Sequence, residues 1–178
     1  MSTQGTIETA LSLIENDRSK ILNLTLGGQK VSLGQTIPKA EAVTPEFGFD
    51  VTSGTYLVVC LDPDAPYPSF PIMAPIMHMM LPGLKPEQVA GGTNKMLPSG
   101  NAHGLNFVRP RPAPGSSAHR YIFLLYEQPS TFDDKRFTFI EEQISVMSIW
   151  NRVRFDLASF EKEAELGPVI AANYFWSV

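Results

Sequence analysis

Apolar residues at Ile7, Ala10, Leu11 and Ile14 recur at the three- and four-residue spacing of one helix face, so residues 6–15 read as a short amphipathic helix. The period then shortens. Residues 21–26 alternate partly, Gly27-Gly28 offers a tight turn and residues 30–33 follow, which is the pattern of a β-hairpin. Runs at 55–61, 77–81, 105–108, 119–127 and 136–140, each bounded by Pro, Gly, Asn or Asp, are expected as further strands. From about 141 to 165 the pattern turns helical: Val153, Leu157 and Phe160 stand four and three apart, and Gly167 is placed to stop the helix before Pro168. Residues 169–175 read as a final buried strand. No repeat, low-complexity tract or linker interrupts this order. The expectation is one domain over residues 1–178, with an N-terminal helical segment at 1–19 and a core at 20–175.

Composition sharpens the fold class. Fifteen Pro and thirteen Gly spread through 178 residues imply many turns between short strands, hence a mostly β protein, and 43% hydrophobic content allows a core without a disulfide or metal staple. A net charge of −4 with no Lys or Arg run leaves no footprint for a phosphate backbone, so no nucleic-acid partner is expected. Residues 1–20 lack a basic-then-apolar leader, and no stretch approaches the ~20 apolar residues of a membrane span. A cytoplasmic location with no integral membrane association is therefore expected, and the Asn23-Leu24-Thr25 glycosylation pattern should go unused. Cys60 sits inside an apolar strand run and reads as a small buried filler in preference to a reactive thiol.

Two segments carry candidate chemistry. In His119-Arg120-Tyr121 the period of two puts His119 and Tyr121 on one strand face, about 7 Å apart, with Arg120 on the other. In Asp62-Pro63-Asp64-Ala65-Pro66 two prolines hold carboxylates at a strand end. The plainer readings are a structural histidine at a strand edge and a simple turn. A metal triad of Asp62, His78 and His119 fits by residue type, but no closely spaced chelating pair supports it. Met73, Met77, Met79 and Met80 place four of seven methionines within eight residues, which is either core packing or an adaptable apolar wall. There is no Ser-His-Asp order, phosphate loop or dinucleotide fingerprint.

Taken together, Asp62-Pro63-Asp64-Ala65-Pro66, His78 sixteen residues after Asp62, His119-Arg120-Tyr121 and the ending Leu166-Gly167-Pro168-Val169 with Asn173-Tyr174-Phe175 resemble the phosphatidylethanolamine-binding protein family. That family includes Raf kinase inhibitor proteins, plant flowering regulators and fungal carboxypeptidase Y inhibitors, and this chain looks most similar to the fungal members. The resemblance implies a large central antiparallel sheet packed on a smaller sheet, with peripheral and C-terminal helices. It also implies an anion-accepting pocket of Asp62, His78, His119 and Tyr121 with Pro112 on the rim. Where the family usually has Ser-Arg and Glu-Trp, this chain has Tyr67-Pro68 and Pro75-Ile76. The Gly-x-Pro-Pro approach is altered to Arg109-Pro110-Arg111-Pro112.

These departures point to a remodelled, unusually apolar pocket for a small hydrophobic or anionic ligand. The expected contacts are Asp62, Asp64, Met73, Ile76, Met77, His78, Arg111, Pro112, His119 and Tyr121. An alternative is an enzyme that cyclises or isomerises a hydrophobic intermediate, with His78, His119 and Tyr121 catalytic. A third reading is a kinase regulator or serine carboxypeptidase inhibitor, so a protein partner is conceivable. Neither a cofactor nor a metal is expected.

Overall fold

A computed structural model describes residues 1–90, 92–99, 104–137, 150 and 152–178. Helix α1 (Thr3–Asn16) starts where the Ser2 side chain accepts the Gly5 backbone N–H at 3.1 Å, and it buries Thr6, Ile7, Ala10 and Ile14 on one side. A 3₁₀ turn, Arg18–Lys20, leads to the hairpin β1 (Asn23–Leu26) and β2 (Gln29–Val31). Gly27 and Gly28 turn it with φ of 56° and 82°, a pair of positive values that glycine adopts without Cβ strain.

The remaining elements are β3 (Gln35–Thr36), β4 (Pro45–Gly48), β5 (Tyr56–Asp62), β6 (Ile76–Glu87), β7 (Lys95–Pro98), β8 (His119–Glu127), α2 (Asp134–Phe137), α3 (Leu157–Glu163) and β9 (Ala171–Ser177). No helix among the described residues is long and apolar enough to cross a membrane.

The described strands form one nine-stranded sheet in the order β2-β1-β4-β7-β6-β5-β8-β9-β3, antiparallel except for β3 beside β9. Strands four places apart in a flat sheet would lie about 19 Å apart. Yet the rings of Phe47 on β4 and Phe123 on β8 have centroids 5.7 Å apart. The sheet therefore folds over on itself. Strand β6 makes the fold possible, because residues 76–84 pair with β5 and residues 84–87 pair with β7, with Leu84 shared by both and Gly83 at φ 72° beside it. The larger and smaller packed sheets expected from the resemblance are thus two limbs of one continuous ladder.

Alternation along β5 and β8 divides their side chains between two cores. Val58, Cys60, Tyr121, Phe123 and Leu125 meet the folded-over limb through Leu24, Phe47 and Met96. Leu57, Val59, Leu61, Ile122, Leu124 and Tyr126 face α1 and α3 through Ile7, Ile14, Leu157 and Phe160.

Several expectations shift. Residues 105–108 carry only a single bridge, Leu105 to Met80, instead of a strand. Arg136 and Phe137, expected in a strand, lie in α2, where the Phe137 ring stacks on Phe132 and meets Phe160 edge-on. Residues 138–149, which hold the rest of that expected strand and the first part of the expected helix, lie outside the described residues. Helix α3 is capped by Asp156, which accepts the Ser159 N–H at 3.0 Å. It stops before Gly167: Glu165 takes the left-handed conformation at φ 53°, and the Leu166 N–H reaches back to the Glu161 carbonyl at 2.9 Å.

Candidate ligand-binding site

Three strand ends converge on one small cavity. Asp62 closes β5, His119 opens the neighbouring β8, and His78 lies near the start of β6 on the other side of β5. Strict alternation would send His78 to the face opposite Met79. The β5–β6 register prevents this, because Cys60 pairs with Met79 and the next residue, Leu61, pairs with Met77. His78 is the extra residue of a β-bulge, a device that re-aims a side chain. Its ring meets Tyr121 edge-on, with centroids 5.0 Å apart.

The carboxylate of Asp62 organises the site. One oxygen accepts the Asp64 backbone N–H at 2.8 Å, and the other accepts His119 Nδ1–H at 2.8 Å. That same oxygen lies 4.0 Å from His78 Nε2. His78 donates Nδ1–H to the Val108 carbonyl at 2.6 Å, which leaves Nε2 as the lone-pair nitrogen of the neutral ring. His119 Nε2 pairs with the Ser116 hydroxyl at 2.9 Å. Among the described residues no three His, Cys, Asp or Glu side chains form a group suited to holding a metal.

The two imidazoles differ electrostatically. Burial pushes the His78 pKa below its ordinary value, against the opposing pull of the Val108 carbonyl and Asp62, and the positive charge of Arg152 adds to the lowering. Burial works against the charged form of His119 as well. There the Asp62 hydrogen bond and the charges of Asp62 and Asp64 outweigh it, so its pKa is raised. The Tyr121 hydroxyl is pushed above its usual range, chiefly by burial and then by Asp62.

The cavity holds about 270 Å³. Of the residues expected to touch a ligand, Asp62, Met73, Ile76, Met77, His78, Arg111 and His119 line it. Three do not. Asp64 is occupied by Arg120, whose Nε and Nη2 reach its two oxygens at 2.9 and 2.6 Å. Pro112 lies outside the wall between the lining residues Arg111 and Ala113, and Tyr121 is fully buried behind His78. The methionine cluster divides: Met73 and Met77 line the cavity, Met77 as part of the buried core, whereas Met79 and Met80 belong to the core alone.

Sequence reasoning missed Arg152 and the His119 partner Ser116. Arg152 is buried, lines the cavity and donates Nη1–H to the His78 and Asn106 carbonyls at 3.2 Å each. Nothing in the local pattern around Trp150 marks it. Ser116 stands three residues before His119, a spacing that a search for a Ser-His-Asp order passes over, because such groups are defined by geometry and not by order.

A mostly β fold with Asp62, His78 and His119 at one end of the sheet defines the class. The chain belongs to the phosphatidylethanolamine-binding protein family, whose model, described as "Phosphatidylethanolamine-binding protein", matches residues 27–175.

Among curated relatives, the carboxypeptidase Y inhibitor of Saccharomyces cerevisiae is 27% identical over 154 residues, covering 80% of this chain and 66% of that protein. Phomoidride biosynthesis cluster protein N of a fungal species is 40% identical over 74 residues, 40% of this chain and 31% of that protein. The matched region thus spans less than two thirds of either relative. Among solved structures, carboxypeptidase Y inhibitor complexed with its cognate proteinase superposes with a TM-score of 0.69 at 24% identity, covering 98% of this chain and 95% of that one.

Proposed function

We propose that this protein binds a small molecule with an apolar body and an anionic group. The observation that carries this reading is the mixed lining of the cavity. Met73, Ile76 and Met77 supply apolar surface, while Arg109 and Arg111 line the same cavity with no acidic partner among the described residues. An unpaired guanidinium beside an apolar wall suits a hydrophobic carboxylate or phosphate better than a bare headgroup.

Calorimetry with phosphorylethanolamine and with a panel of hydrophobic carboxylates, on the parent and on Ile76→Glu, tests it. The parent should prefer the hydrophobic acids, and Ile76→Glu should abolish that preference. Tight phosphorylethanolamine binding with no preference for the acids would refute the reading.

A second reading, acid–base isomerisation or cyclisation of a hydrophobic intermediate, is favoured by His78. Its pKa is lowered and its Nε2 is the lone-pair nitrogen, the state needed to accept a proton near neutral pH. The relative from a phomoidride biosynthesis cluster is in keeping with it. The third reading, inhibition of a serine carboxypeptidase, rests on the yeast relative alone and is tested by titrating the protein into a carboxypeptidase Y assay.

A further inference from the structure

Beyond ligand binding, the geometry points to a serine esterase: we infer that Ser116, His119 and Asp62 form a nucleophile–base–carboxylate relay that cleaves small apolar acyl esters. Asp62 accepts His119 Nδ1–H at 2.8 Å, and Ser116 Oγ lies 2.9 Å from Nε2 of the same ring. These contacts meet the requirement for a base within hydrogen-bond reach of the nucleophile and held in one tautomer by a third group.

Burial grades along the relay. Asp62 and His119 are 3% and 1% exposed, whereas Ser116 is half-buried at its outer end, where a nucleophile must meet substrate. A tight turn presents it, closed by the Ser116 N–H on the Ala113 carbonyl at 2.9 Å, and Ala113 itself lines the cavity. Ser116 is not itself a lining residue, but it touches two that are: its hydroxyl meets His119 and its N–H meets the Ala113 carbonyl.

In the proposed reaction Ser116 Oγ attacks the ester carbonyl carbon while its proton passes to His119 Nε2. The ester C–O bond breaks, the imidazolium returns the proton to the departing alkoxide, and the acyl group remains on Ser116. Water, deprotonated by His119, then attacks the acyl carbon, and Ser116 leaves as its hydroxyl with release of the carboxylic acid. The guanidinium groups of Arg109 and Arg111 supply positive charge for the developing oxyanion. The neighbouring cavity, lined by Met73, Ile76 and Met77, is the space the acyl group would enter. At about 30 Å³ per water, the 270 Å³ cavity has the room of about nine waters, which suits a short acyl chain over a long one.

The test treats the parent, Ser116→Ala and Ser117→Ala with an alkyl fluorophosphonate, maps the adduct by mass spectrometry and follows hydrolysis of p-nitrophenyl butyrate. The parent and Ser117→Ala should carry the adduct on Ser116, and Ser116→Ala should lose it together with about a hundredfold or more of the hydrolysis. The parent rate should rise with pH through an apparent pKa above that of an ordinary imidazole, because Asp62 holds the His119 proton. A parent with neither adduct nor hydrolysis above buffer would overturn the inference. So would an adduct mapped to another residue, a result that stands even if Ser116→Ala fails to fold. Calorimetry of hydrophobic acids on the same samples separates the two readings: intact binding without an adduct removes the esterase and leaves the binder.

Discussion

Replacing Tyr121 by Phe tests whether the site carries an unsatisfied polar group in its ligand-free state. Tyr121 is fully buried, its ring stacks on Phe175 with centroids 5.2 Å apart, and its hydroxyl has no hydrogen-bond partner among the described residues. The Arg111 backbone N–H lies near enough to influence the phenol, but it does not reach bonding geometry. An unpaired buried hydroxyl costs about 1–3 kcal/mol, and Phe retains the ring contacts while removing it. Tyr121→Phe should therefore stabilise the folded protein by about 1–3 kcal/mol. At about 2–4 °C per kcal/mol for a chain of this size, the melting temperature should rise by about 2–12 °C in calorimetry. If the hydroxyl turns to a bound anion, the same variant should weaken that ligand by about 0.5–1.5 kcal/mol. A melting temperature that falls by 2 °C or more would refute the reasoning, since it would mean that the hydroxyl is bonded in the folded protein.

The Asp64–Arg120 pair should respond asymmetrically. Arg120→Ala strands a carboxylate whose side chain is 6% exposed and should cost about 3–5 kcal/mol, whereas Asp64→Asn leaves an arginine 30% exposed and should cost less, both measured by urea unfolding. Met77→Ala should weaken a bound hydrophobic acid by about 1–3 kcal/mol in calorimetry, while leaving phosphorylethanolamine binding unchanged. His119 has a folded-state pKa raised above its unfolded value, so its contribution is complete below the unfolded pKa and is lost as pH rises through the folded one. The stability excess of the parent over His119→Gln, by urea unfolding from pH 5 to 9, should be greatest at the acid end and shrink toward the alkaline end.

Long periodic segments were legible because their periodicity is strong. The expected 119–127 run coincides with β8 (His119–Glu127), and 55–61 differs from β5 (Tyr56–Asp62) by one residue at each end. The short strands were not. β3 has two residues, and β4 begins on Pro45 while β7 ends on Pro98, so none of them displays a two-residue period long enough to read. Their pairing comes from neighbours distant in sequence, as in Phe47 opposite Met96. Arg136 and Phe137 show the opposite failure. A short apolar run suits either state, and packing of Phe137 against Phe132 and Phe160 selected the helix.

What the sequence determined by itself is local: backbone alternation sets His119 and Tyr121 on one face and Arg120 on the other, and Arg120 is indeed spent on Asp64, while the family motifs identified the residues worth following. The site itself was decided by tertiary structure. A bulge against β5 turned His78 out of its expected alternation, a fold in the sheet brought Phe47 onto Phe123, and Arg152 and Ser116 reached the site from segments with no distinguishing pattern. Periodicity is written in neighbouring residues, whereas register, bulges and hydrogen bonds across 57 positions, such as Asp62 to His119, exist only once distant strands have paired.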